Sequence, residues 1–64
     1  MADKITYDEI ITLLKNEFET EKIKADAAFR RGYNALALEH VSASRTIEKL
    51  IKKIARANNK EVYV

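Results

Sequence analysis

The chain contains no proline and a single glycine, Gly32, which lies at the middle of its 64 residues. Proline and glycine are the residues that most strongly interrupt helices and form turns. A chain with almost none of them has few places to turn, which favours long helices. The sequence therefore predicts an all-α fold.

The first helix has clear signals at both ends. Thr6 is followed three residues later by Glu9, the spacing of a capping box, in which the threonine hydroxyl accepts from the glutamate amide. Arg30 and Arg31 come directly before Gly32, and basic residues followed by glycine are typical of a helix C-terminus. These signals predict a helix over about 7–31.

A second helix is predicted over about 35–58, with Asn34 as its N-cap and an end at Asn58 and Asn59. Residues 60–64 alternate apolar and polar side chains, which favours an extended tail. We expect the two helices to form an antiparallel hairpin that turns near Gly32, as one domain over 1–64. One continuous helix of about 50 residues is the alternative, since glycine within a helix costs only about 1 kcal/mol.

Apolar residues at helical spacing mark one face of each predicted helix. In helix 1 they are Tyr7, Ile10, Ile11, Leu14, Phe18, Ala25, Ala28 and Phe29. In helix 2 they are Leu36, Ala43, Ile47, Leu50, Ile51 and Ile54. The hairpin would place these faces against each other, and that contact alone is a marginal core for so short a chain.

Other apolar side chains point away from this seam. Helices with two apolar sides belong to bundles of more than two helices, and exposed apolar residues often mark interaction sites. We therefore expect a homodimer that forms a four-helix bundle and also binds a larger protein. The residues assigned to partner binding are Ile23, Leu38, Val41, Val62, Tyr63 and Val64. The last three could also fold back over the open end of the hairpin.

Polar residues interrupt the seam. Glu21 lies on the core face of helix 1 and His40 on that of helix 2, and antiparallel pairing brings Arg45 or Ser44 near Glu21. We interpret Glu21, His40 and Arg45 as a polar core layer that fixes the pairing of the helices. The alternative is an acid–histidine site. Because catalysis also needs an orienting acid, an oxyanion hole and a pocket that excludes water, we expect no enzyme activity, cofactor or metal.

Charge is distributed unevenly along the chain. Residues 1–29 carry four basic and seven acidic side chains, net −3, whereas residues 45–60 carry six basic and one acidic, net +5. The six form a basic stripe on helix 2: Arg45, Lys49, Lys52, Lys53, Arg56 and Lys60. Such a stripe could bind the phosphates of a nucleic acid, although no aromatic residue interleaves it to stack on bases. The alternative is a solvated face that pairs with the acidic helix 1.

The N-terminus is polar, and no apolar run approaches the roughly 20 residues that span a bilayer. The absence of cysteine fits a reducing compartment, so we expect a cytoplasmic protein without a membrane partner. The short reading frame suggests a bacterial or phage source. The sequence thus predicts a small non-enzymatic protein-interaction module, a dimeric adaptor, regulator or inhibitor of a larger protein. The alternative is a nucleic-acid-binding hairpin that uses the basic stripe.

Overall fold

The structure, a computed structural model, describes residues 5–61 and contains two helices, α1 over Tyr7–Arg30 and α2 over Asn34–Ala57. The helices pack against each other, which confirms the predicted all-α helical hairpin. Three residues separate them, so the continuous-helix alternative is wrong. Lys60 and Glu61 follow α2 outside any helix, and Val62, Tyr63 and Val64 lie outside the described residues.

Helix α1 begins at the predicted capping residue. The Thr6 hydroxyl oxygen accepts from the Glu9 amide at 3.1 Å, and the Thr6 hydroxyl donates to the Glu9 carboxylate at 3.2 Å. One free amide of the first turn is thereby satisfied. Asp8 and Glu9 also place negative charge at the positive end of the helix dipole.

The turn between the helices is a left-handed cap centred on Gly32, whose φ is +80°. The Gly32 amide donates to Phe29 O at 3.0 Å, and the Tyr33 amide donates to Ala28 O at 2.9 Å. This pair of bonds satisfies the last carbonyls of α1 and reverses the chain. Because the reversal is complete at Tyr33, α2 starts at once, and Asn34 is its first helical residue rather than its predicted N-cap.

The same cap ends α2 with asparagine in place of glycine. Asn59 has φ +54°, its amide donates to Arg56 O at 3.0 Å, and the Lys60 amide donates to Ala55 O at 2.8 Å. Asparagine tolerates this conformation better than most residues. The Lys60 ammonium then lies 4.4 Å from the centre of the Tyr7 ring, which joins the end of α2 to the start of α1.

The core of the hairpin is a narrow seam of small side chains. Among the described residues, the bulky side chains that are buried are Ile11, Phe18 and Ile51. The other buried residues are Ala25, Ala28, Ala37, Ser44 and Ala55. Small residues at the contact let the two helices approach closely. The two helices form a single layer, and the Cα extents are 44 × 28 × 14 Å.

The predicted apolar face of α2 is divided between the seam and the surface. Ile51 is fully buried, whereas Leu36 and Leu50 are each 45% exposed and Ile47 and Ile54 are half-buried. The line that enters the seam runs through Ala37, Ser44, Ile51 and Ala55 because its smaller side chains fit between closely packed helices. The bulkier line beside it remains open on one side of the hairpin.

Candidate functional site

One side of the hairpin carries a half-exposed apolar surface, which we call the aliphatic face. Its members are Ile10 and Leu14 on α1 and Leu36, Ile47, Leu50 and Ile54 on α2. On α2 these residues continue through His40 and Ala43 at steps of four and three residues, the spacing of a coiled-coil seam. Residues 5–61 form two helices, and within this range no second layer covers such a line.

The Glu21–His40 pair lies on the side of the hairpin that carries the aliphatic face. His40 Nδ1 lies 2.5 Å from Glu21 Oε2, and the two side chains are 24% and 17% exposed. An ionised carboxylate can only accept, so Nδ1 carries the hydrogen in this pair. Among the described residues, this contact is the side-chain hydrogen bond that joins the two helices.

Arg45 is not part of this layer. The structure places it exposed on the opposite side of the hairpin, and the Glu21 carboxylate bonds to His40 instead. The reason is helical rotation: residue 45 lies five positions beyond residue 40, which turns its side chain by well over a right angle from His40. The polar layer therefore consists of Glu21 and His40.

The other side of the hairpin carries a groove of about 310 Å³ between the helices. We call it the Phe groove; its lining residues are Phe18, Lys22, Ala25, Asp26 and Phe29 on α1 and Val41, Ser44, Arg45 and Glu48 on α2. Phe18 and Phe29 lie toward its two ends, and the small Ala25 and Ser44 lie between them. Phe29 is 47% exposed although it belongs to the predicted core face.

The residues predicted to bind a partner do not form one surface. Ile23 and Leu38 are exposed, but each lies on the side of its own helix that faces away from the other helix. Scattered apolar residues of this kind are normal on soluble proteins. Val41 is half-buried and lines the Phe groove. The remaining three predicted residues, Val62, Tyr63 and Val64, lie outside the described residues.

All six residues of the basic stripe are exposed. Lys52 pairs with Glu48 at 3.6 Å within α2, and Lys60 contacts the Tyr7 ring. The ion pairs between residues of the range 5–61 are Asp26–Arg30 on α1 and Glu48–Lys52 on α2, and the Glu21–His40 contact joins the two helices. No described ion pair therefore joins the stripe to the acidic residues of α1.

The sequence holds signals for both surface features, although it indicates only that small facing residues such as Ala25 and Ser44 let the helices approach closely or leave a groove. The steps of four and three residues along α2 distinguish the aliphatic face from the buried line. The Phe groove follows from Ala25 and Ser44, small residues at the seam beside two phenylalanines. Both features depend on which side chains are small, which a count of apolar positions does not weigh.

The described residues include no group of three or more histidine, aspartate or glutamate side chains placed to hold a metal ion. Neither described helix combines the length and the apolar character needed to cross a bilayer. The surface thus offers two apolar sides, one with a polar pair and one with basic and acidic side chains on its rims. Comparisons with protein-family models, curated proteins and solved structures find no match to this chain.

Proposed function

We propose that the chain is a small non-enzymatic protein-interaction module, an adaptor, regulator or inhibitor of a larger protein, that acts as a homodimer. Two hairpins would join through their aliphatic faces into a four-helix bundle. The observation that carries this proposal is the seam itself, in which the bulky side chains buried among the described residues are Ile11, Phe18 and Ile51.

A seam of this size is a marginal core for a chain of this length. Below about 70–80 residues a single core rarely supplies more than about 3–5 kcal/mol, and stable domains have at least two packed layers. Full burial of one leucine or isoleucine contributes roughly 1.5–3 kcal/mol. A second copy that covers the aliphatic face supplies both the missing layer and this free energy.

The Glu21–His40 pair supports a specific contact at this face. A polar pair within an apolar interface favours the arrangements that keep its hydrogen bond and disfavours those that break it. The Nδ1–Oε2 bond is already made within one hairpin, so a second copy that covers the pair has only His40 Nε2 and Glu21 Oε1 left to bond.

Sedimentation equilibrium tests the homodimer. We expect the wild-type chain to sediment at twice 7.4 kDa at micromolar concentration. Leu50→Glu places a charge on the aliphatic face and should shift the population to monomer, with reduced helix content in circular dichroism. Leu13→Glu is the matched control because Leu13 is more exposed, at 59%, and lies outside that face.

A wild-type chain that sediments at 7.4 kDa and unfolds cooperatively would contradict the homodimer. An equal loss of dimer in Leu50→Glu and Leu13→Glu would also contradict it, because the loss would then follow from the added charge and not from its position on the aliphatic face.

Nucleic-acid binding is a second candidate, and the exposed basic stripe favours it. Arg45, Lys49, Lys53 and Arg56 make no ion pair with a described residue, so the stripe is available for an anionic partner. Phosphate contacts are strongest at low salt. If this function holds, the chain retards DNA or RNA in a gel at about 50 mM salt, and the binding weakens steeply as salt rises.

The stripe is tested by reversing Lys49, Lys52 and Arg56 to glutamate, which should abolish that retardation and keep the helices. Reversal of Lys15, Lys24 and Arg31 gives a control variant with the same net charge. No retardation by the wild-type chain would remove this second function.

A further inference from the structure

The acidic side chains on the rims of the Phe groove form ion pairs within their own helices. Asp26 on the α1 rim pairs with Arg30 at 3.1 Å, and Glu48 on the α2 rim pairs with Lys52 at 3.6 Å. Both acidic groups at the groove are thus paired within their own helix, each with a cation one helical turn away.

The two basic groups at the groove have no acidic partner among the described residues. Lys22 on the α1 rim lies 5.1 Å from the centre of the Phe18 ring and makes no described ion pair. Arg45 on the α2 rim is exposed and makes no described ion pair. An apolar floor therefore lies between two available cations on opposite sides.

We propose that the Phe groove binds an acidic amphipathic helix of a partner protein. Bulky apolar side chains of that helix would occupy the space above Ala25 and Ser44, between Phe18 and Phe29. Carboxylates on both flanks of its apolar stripe would pair with Lys22 and Arg45. This inference names the partner chemistry of the proposed interaction module, and it does not depend on the homodimer.

The shape of the groove favours a helix over a shorter or extended ligand. From Phe18 to Phe29 the floor extends about 16 Å along α1, since a helix rises 1.5 Å per residue. A helix laid in this position makes contacts at i, i+4 and i+7 and forms a three-helix bundle with α1 and α2. The basic stripe continues from Arg45 along α2 and extends the surface that attracts acidic residues.

The proposal is tested with two synthetic peptides and the full chain labelled with ¹⁵N. Each peptide is about 18 residues long, because shorter helices are marginal in water. One has leucines along a single face and glutamates on both flanks; its twin has lysine at every glutamate position. We expect the acidic peptide to shift the backbone amides of 18–29 and 41–48, and its twin to bind about tenfold more weakly, as for the loss of two modest ion pairs.

Variants of the chain locate the contact. Lys22→Glu with Arg45→Glu should reverse the preference of the groove, so that the lysine peptide binds better. Lys24→Glu with Lys53→Glu makes the same change in net charge away from the groove and should keep the acidic preference. Phe29→Ser should weaken binding of the acidic peptide. Leu13→Ser also replaces an apolar side chain by serine, but at an exposed site outside the groove, and should not weaken binding.

Several results would overturn the proposal. Equal binding of the two peptides, no binding of either, or shifts confined to the aliphatic face would each do so. Tighter binding of single-stranded oligouridylate at the same amides would assign the groove to nucleic acid. Groove shifts that depend on protein concentration alone would assign it to a second copy. Sedimentation equilibrium of the same samples reports the homodimer separately, so either idea can fail without the other.

Discussion

Glu21 and His40 show how a single contact can organise a hairpin with a small core. Each side chain lies mostly covered at the edge of the seam, and the Nδ1–Oε2 hydrogen bond joins the two. No buried side-chain nitrogen or oxygen among residues 5–61 lacks a hydrogen-bond partner. Removal of one side chain therefore leaves the other without its hydrogen-bond partner in partly apolar surroundings. The resulting loss in the free energy of unfolding is larger than the net contribution of the bond.

A double-mutant cycle measures this contact. We expect Glu21→Ala and His40→Ala to show a coupling free energy of about 1 kcal/mol in urea denaturation, within the range for directly bonded residues. The parallel cycle between Glu21 and Arg45 should show none, because the structure places Arg45 on the other side of the hairpin. Coupling in the second cycle and none in the first would mean that the helices pair in a different rotation.

The capping threonine makes a second residue-scale prediction. Thr6→Ala should lower the free energy of unfolding by about 1 kcal/mol, because the Glu9 amide loses its acceptor. Thr12→Ala, at an exposed position inside the same helix, is the control and should be neutral or slightly stabilising. A denaturation midpoint that does not change with Thr6→Ala would show that the first turn contributes nothing to stability.

The partner of Glu21 could not be predicted by pairing residue numbers across the turn. Such pairing gives the height of a residue along the hairpin but not the side of the seam on which it projects. Arg45 and His40 lie about 7.5 Å apart along α2, and the rotation of α2 places His40 rather than Arg45 on the side of Glu21. That rotation follows from which line of side chains fits the seam, a property of the packed pair rather than of either helix.

The helix boundaries, in contrast, were predictable almost to the residue. The expected ranges, 7–31 and 35–58, differ by one residue at three of the four ends from Tyr7–Arg30 and Asn34–Ala57. Caps are local: a threonine with a glutamate three residues on, or a glycine after two arginines, acts within one turn. The division of α2 into a buried and an open line was missed because it depends on side-chain volume.

The left-handed caps at Gly32 and Asn59 lead to a prediction about the ends of the two helices. Gly32→Ala should destabilise the hairpin by about 1 kcal/mol or more, since alanine is strained at φ +80°. No atom lies within 4 Å of an added Cβ, so the cost is conformational rather than steric. Gly32→Asn should cost less, and Asn59→Gly should be neutral or stabilising. Chemical denaturation of the three variants checks this order, and an equal effect of alanine and asparagine at 32 would contradict it.

In the whole molecule, the two open sides divide the surface into regions of different character. The aliphatic face has branched side chains and a satisfied polar pair, which suits a second copy. The Phe groove has aromatic ends and, on each rim, a cation without a described ion pair, Lys22 and Arg45, which suits an acidic helix. The two sides lie on opposite faces of one layer, so a dimer formed through the first leaves the second open for a partner. One hairpin can thus carry both contacts at once.

The alanine-rich seam also has a calorimetric consequence. The heat-capacity change of unfolding follows the apolar area that becomes exposed, and it averages about 12–15 cal/mol/K per residue in globular proteins. A hairpin that melts by itself exposes little such area and should fall well below that average, with a broad transition. A hairpin that melts from a four-helix bundle should reach the average, with a Tm that rises with protein concentration. We expect the second result from scanning calorimetry over a tenfold range of concentration; a small, concentration-independent heat-capacity change would mean that the alanine seam alone holds the fold.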